Sequence, residues 1–288
     1  MSSGEKPVGE AGFVLPAVLA ILVVLSAAAV TAALRLQTRT ALATVRGDGV
    51  RLQGLADGIA RLLAHGFVVE RTYRMPRLDL PEDGSPIACP LPGGLTARIA
   101  VRDQGRLLDL NTTPRLALEE ALRVLAVPDG DARTLAAEIV DFRDPDDITE
   151  PGGGAEVPQY RARGLADGPR NGPFVSADEI EQLPSMTPAL AARLRPYVTV
   201  FNPGGQFDTT PLPGGASEPR PSPRLFLRIE VSVADAKGIR AGRSALVSTG
   251  PAPIGTGVVA WTQSVPPSEA KAPVARGACT RIVAVLEP

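Results

Sequence analysis

Lysine is nearly absent: Lys6, Lys237 and Lys271 stand against 27 arginines in 288 residues. The formal net charge is −1, so no global positive field is available to hold a nucleic acid. Histidine occurs once, as His65, which excludes a His-rich zinc centre and a Ser-His-Asp triad at any other location. At the end of a helical segment, His65 reads as a solvated or capping residue. Aromatic residues make up only 4% of the chain. The two cysteines, Cys89 and Cys279, lie 190 residues apart with no C-x-x-C, which excludes a zinc ribbon and a dithiol redox motif. In an oxidising compartment their natural use is one long-range disulfide; the alternative is two buried thiols. No residue sits in a G-x-S-x-G or similar nucleophile motif, so the chain is not expected to be an enzyme.

Glycine and proline are abundant, at 29 each, which predicts long irregular connections. Phe13 to Leu34 is a 22-residue run without a charge. As a helix it is about 33 Å long, enough to cross a bilayer core. Pro16 falls in its first turn, where a missing N–H costs little. Three readings fit such a segment: a cleaved secretory signal, a plain signal anchor, or a type IV pilin-like N-terminus. The leader carries Glu5, Lys6 and Glu10, so it is not the basic n-region of a secretory signal, and the apolar run is too long for an h-region. The small residues of 27–33 nevertheless offer a place to cut. Gly12 followed by Phe13 resembles a prepilin peptidase site, a hydrophilic leader ending in Gly before an apolar first mature residue. Beyond the span, Leu42, Val45, Leu52, Ile59 and Leu63 fall on one helical stripe, with Gly49 and Ala56 between them. A helix that begins in lipid is therefore expected to end packed on a domain.

After His65 the pattern turns to strands: Phe67–Arg74, Ser85–Leu91 and Leu95–Arg102, the last two joined as a hairpin at Gly93–Gly94. LLDLNTTP (Leu107–Pro114) opens a helical block, its last four residues reading as caps with Pro in the first turn. Helices are expected at Pro114–Leu125, Asp129–Arg143, Ser176–Gln182 and Thr187–Leu194. The stretch Pro203–Pro223 reads as a linker or exposed loop. Leu225–Ala234, Ser244–Ser248, Val258–Ser264 and Thr280–Leu286 then read as strands. The implied layout is a leader (1–12), an apolar helix (13–34), its continuation (35–66), strands (67–106), a helical insert (107–200), a linker (201–224) and further strands (225–288).

Three segments carry a family resemblance: LLDLNTTP, DFRDPDDITEPGGGAEVPQY (Asp141–Tyr160) and FVSADEIEQLPSMTPALAARLRPYVTV (Phe174–Val200). Their order and spacing resemble minor pseudopilin K of bacterial type II secretion systems (the general secretion pathway protein K family). The resemblance implies an α+β fold, type IV pilin-like, with a long N-terminal helix and an antiparallel sheet interrupted by a helical insert domain. It implies cleavage at Gly12–Phe13 and methylation by the prepilin peptidase. It also implies a single pass through the inner membrane, with the C-terminal domain in the periplasm. Partners are then the I and J type minor pseudopilins, and the role is to initiate or cap the pseudopilus tip in protein export. Most pilins carry Glu at mature position five; here that position is Ala17, and the K family characteristically lacks the Glu. The charge bias opposes this orientation, with Lys6 before the span and Arg35, Arg39, Arg46 and Arg51 after it.

The stretch around Asp141, Asp144, Asp146, Asp147, Glu150 and Glu156 offers the oxygen ligands that calcium requires, though not in the EF-hand pattern. Composition alone favours a solvated acidic loop that caps the preceding helix. The K pseudopilin resemblance implies calcium in the helical domain; it does not match ligands one by one, and Asp144, Asp146, Asp147 and Glu156 are the candidates taken from the acidic stretch. Ser176–Val198 resembles a helix-hairpin-helix unit, which leaves a competence-type, membrane-tethered DNA-binding protein as the alternative function. The hairpin carries Ser185 where Gly is usual, and Glu179 and Glu181 flank it. A structural role for its apolar residues is therefore the expectation, with no nucleic acid bound.

Overall fold

The computed structural model describes residues 14–75, 78–212, 221–251, 255–264, 272–274 and 276–286. The Gly12–Phe13 junction and the side chains of Leu42 and Val45 lie outside them. Helix α1 runs from Val14 to Tyr73. Between Pro16 and Pro76 the sequence has no proline, so no residue interrupts the helical hydrogen bonds. Its end is a left-handed turn: Arg74 has φ 52° and the Met75 N–H donates to Glu70 O at 3.1 Å. The strand expected over Phe67–Arg74 is therefore helix. Phe67 follows Ile59 and Leu63 on the same buried face, and that face decides against β-propensity.

The chain divides into two compact units, one ending at Leu52 and the other beginning at Gln53. In the first, Leu15–Gln37 forms 23 helical residues of mean hydropathy 2.6, with none of those residues buried. That length and composition suit a membrane crossing.

The second unit is α+β. Its sheet has the order β1 (Ile87–Leu91), β2 (Leu95–Asp103), β5 (Phe226–Ala234), β6 (Arg240–Thr249), β7 (Thr256–Gln263), antiparallel throughout. Alternate residues, Ala97, Ile99 and Val101 on β2 and Ile229, Val231 and Val233 on β5, are buried, as period-two patterning requires. The last turns of α1 bury Ala56, Ile59, Ala60, Leu63 and Phe67. Polar ties fix the helix to the sheet. Arg243 donates to both oxygens of Asp57 at 2.7 and 2.9 Å, and Arg61 and Arg243 both lie over the Trp261 ring. Arg243 holds the Asp57 carboxyl below the usual range.

Strands β2 and β5 are neighbours, yet the whole helical domain lies between them in sequence. A two-residue parallel ladder of β3 (Leu108–Asp109) and β4 (Val198–Thr199) closes that domain where the chain enters and leaves. Inside it are α2 (Arg115–Val124), α3 (Asp129–Arg143), α4 (Val157–Ala162), a 3-10 turn (Ala177–Gln182) and α5 (Pro188–Leu194). Leu118, Leu122, Leu135, Ile139, Phe142, Ile180 and Leu194 fill its core. Pro114 itself occupies the N-cap of α2, without a side-chain cap; Asn111 instead exchanges two hydrogen bonds with the backbone of Phe174.

The stretch expected to be a linker is partly structural. Buried Asn202 donates to Leu107 O and Gln206 O, its N–H reaches Asp109 Oδ2 at 2.7 Å, and Phe207 and Leu212 pack on the helical core. Residues 213–220 lie outside the description. The last element also differs from expectation: Thr280–Leu286 is not a strand but part of helix α6 (Arg276–Leu286). Ala278, Cys279 and Ile282 are its buried face, a helical rather than alternating spacing. A disulfide joins Cys279 to Cys89 on β1, with Cα atoms 5.2 Å apart.

Candidate metal centre

The loop between α3 and α4 holds most of the acidic stretch. Helix α3 ends at Arg143, and Asp144 at its C-cap turns extended (ψ 160°) before Pro145, as a residue preceding proline must. Asp141, in the last turn of α3, is fully buried; its Oδ1 accepts the Glu150 N–H at 2.9 Å and its Oδ2 has no partner. The loop folds back onto it only because residue 154 is Gly. A Cβ there would meet Asp141 Oδ2 at 2.3 Å and the Glu150 backbone at 2.8 and 2.9 Å. Glu156 begins α4 and is 2% exposed. Its N–H donates to Gln159 Oε1 at 3.0 Å, while both carboxylate oxygens are buried without hydrogen-bond partners. Asp144 Oδ1 and the Tyr160 hydroxyl are orphaned in the same way.

These groups load one another with charge. Burial, then the charges of Asp141, Asp144, Asp147 and Asp146, pushes the Glu156 carboxyl up to about 7. Burial and neighbouring carboxylates also raise Asp141 and Asp144. Arg143, whose charge acts on Asp144, spends its donors on Leu110 O and Thr113 O rather than on a carboxylate, and Arg115 pairs with Glu150 of the same loop. Asp146 and Asp147 lie at the exposed rim. Asp146 Oδ1 accepts the Ile148 N–H and Asp147 Oδ1 accepts from the Asn171 amide. Asp144 and Glu156 thus present orphaned oxygens, whereas Asp146 and Asp147 are held in turns. Sequence reasoning left out Asp141 as a ligand and Asn171 altogether. The signal for Asp141 is its helical phase, one turn after the buried Glu138.

Among the described residues, no three His, Cys, Asp or Glu side chains are gathered into a cage of their own. Calcium needs six to eight oxygens and takes backbone carbonyls and water as well as carboxylates. Four carboxylate oxygens on Asp141, Asp144 and Glu156, buried and unpaired, fit a hard divalent cation, because each is costly unless protonated or bridged.

The hairpin of the helix-hairpin-helix-like segment is already occupied from within. Buried Glu138 on α3 accepts the Ser185 N–H at 3.1 Å and the Ser185 hydroxyl at 2.7 Å. A carboxylate of the same chain therefore sits where a phosphate would have to approach, and burial raises that carboxyl. Arg195, beside the hairpin, pairs with Asp178 and Glu181.

An apolar N-terminal helix, followed by an antiparallel sheet split by a closed helical domain, is a pilin-like α+β architecture. Residues 101–203, which span the helical domain, match the family model of the type II secretion system protein K. The chain is also similar to a chain in the crystal structure of the GspK-GspI-GspJ complex from the enterotoxigenic Escherichia coli type 2 secretion system. The TM-score is 0.53 at 16% identity, covering 79% of this chain and 100% of that one. None of the curated proteins matches it. The family match covers the three sequence segments that carry the K pseudopilin resemblance, and the solved chain shares the fold.

Proposed function

We propose that this chain is the K-type minor pseudopilin at the tip of a type II secretion pseudopilus, where it initiates or caps assembly in support of protein export. It is an assembly subunit, not an enzyme. The observation that carries the reading is the match to the protein K model over a helical domain set between neighbouring strands β2 and β5. An apolar helix would anchor the subunit in the inner membrane and pack with the helices of I and J type partners, and the C-terminal domain would stand in the periplasm. The bulk of the helical domain would then stop further subunits adding above it. Calcium would be held in the α3–α4 loop by Asp144 and Glu156 with Asp141 behind them and Asp146 and Asp147 at the rim. It would supply positive charge between carboxylates that otherwise repel.

The test is co-purification of detergent-solubilised full chain with its cognate I and J pseudopilins. A stable ternary complex is expected; a chain that passes through the column alone contradicts the reading. A tip subunit has no neighbour above it to engage, so Ala17→Glu should leave secretion unchanged or poorer, measured as exported substrate in a complementation assay. A clear gain in export would oppose the tip position.

A further inference from the structure

We propose that Asn171 is a positioning residue for the divalent cation, the latch that holds the acidic loop in its ion-receiving form; this rests on the calcium reading above. Asn171 lies outside the loop, on the strand of chain leading to the hairpin segment. Its Nδ2 donates to two successive loop residues, the Asp146 carbonyl at 3.1 Å and Asp147 Oδ1 at 3.0 Å. One amide thus spends both hydrogens on the turn that carries the rim carboxylates. The residue sits in the left-handed region at φ 49°, which Asn tolerates better than most residues and which aims the amide at the loop.

The latch is mounted on a fixed strap. The Gly172 N–H donates to Phe142 O at 3.3 Å, the Phe142 and Phe174 rings stack at 4.1 Å, and Asn111 grips the Phe174 backbone from both sides at 2.8 and 2.9 Å. A second observation points to a ligand: Glu156, 2% exposed, has both carboxylate oxygens unpaired, and Asn171 Oδ1 is itself buried without a partner. Like charges on Asp144, Asp146, Asp147 and Glu156 drive the loop apart when no cation is present. A neutral donor anchored elsewhere opposes that opening without competing for the cation. Removing it leaves the loop to be ordered by the ion, and the ordering cost appears as lost affinity.

The experiment is calcium titration calorimetry on the detergent-solubilised full chain, with melting curves in chelator. Asn171→Gly keeps the left-handed backbone and deletes the amide. Calcium affinity should fall about tenfold, which corresponds to about 1.4 kcal/mol, while the melting temperature in chelator changes little. If the wild type binds calcium and the variant binds it equally well, the latch is refuted and the calcium reading stands. A lower melting temperature in chelator with unchanged affinity would show a merely structural residue and also refute it. If the wild type binds no calcium, the reading of the loop fails and the latch with it. Hydrogen exchange on the chelated wild type tests the same point without a variant. The Ile148 amide, which donates to Asp146 Oδ1 in the latched turn, should be protected, and free exchange there would overturn the proposal.

Discussion

Glu156→Gln should make the ion-free protein more stable and blind to calcium. The Glu156 carboxyl is buried, unpaired and pushed from 4.5 up to about 7. The folded protein thus binds that proton more tightly than the unfolded chain does. By linkage, its stability is fully present below the unfolded value of 4.5 and is lost as pH rises to about 7. The loss is on the order of 3 kcal/mol at most, or roughly 6–10 °C in melting temperature for a domain of this size. Asp141 and Asp144, also raised, act in the same direction; Asp57, held down by Arg243, acts in the opposite one. In chelator, wild-type melting should therefore fall between pH 4.5 and 7, and the variant should fall much less. Calcium at about a hundredfold over its dissociation constant should restore about 2.7 kcal/mol to the wild type and nothing to the variant. A variant that still responds to calcium would show that Glu156 is not a ligand. One that melts lower in chelator would show that the buried carboxyl is stabilised in some other way.

Replacing both cysteines, Cys89→Ser with Cys279→Ser, should cost about 2–5 kcal/mol. The bond closes a loop with a sequence separation of 190, spanning the whole helical insert. It also secures helix α6, whose buried face is Ala278, Cys279 and Ile282. Helix α6 has 11 residues, a length that is marginal alone in water. The Ala88–Pro273 backbone bond at its approach and Arg281 donating to Leu78 O also tie it. Hydrogen exchange in α6 should accelerate far more than in β5 or β6, and melting should fall by roughly 5–15 °C. Two thiols that react with a labelling reagent in the unreduced wild type would remove the bond from the account. Equal melting of variant and wild type would remove its energetic role.

The parts of the fold legible in the sequence were those with a clean period or punctuation. Helix α3 was readable at both ends because Pro128 and Pro145 bracket it, and β5 because Leu227, Ile229, Val231 and Val233 alternate. Phe67–Arg74 misled because FVVERTY is β-rich locally, while only the continuing stripe from Ile59 and the distance to Pro76 mark it as helix. Thr280–Leu286 misled for a similar reason: IVAV suits either state, and the disulfide that holds α6 beside β1 is a tertiary fact. The acidic loop was legible as chemistry but not as geometry. Which carboxylates face inward depends on the helical phase of Asp141 and on the close approach allowed at Gly154. Asn171, 24 residues after Asp147, carries no local signal at all.

N-terminal sequencing of the mature chain, after co-expression with a prepilin peptidase, tests the central claim most directly. The account predicts a first residue of Phe13, N-methylated, with Gly12 and the leader gone. A mature chain beginning near Ala33 or Leu34, or one that keeps Met1 in the presence of active peptidase, would contradict it.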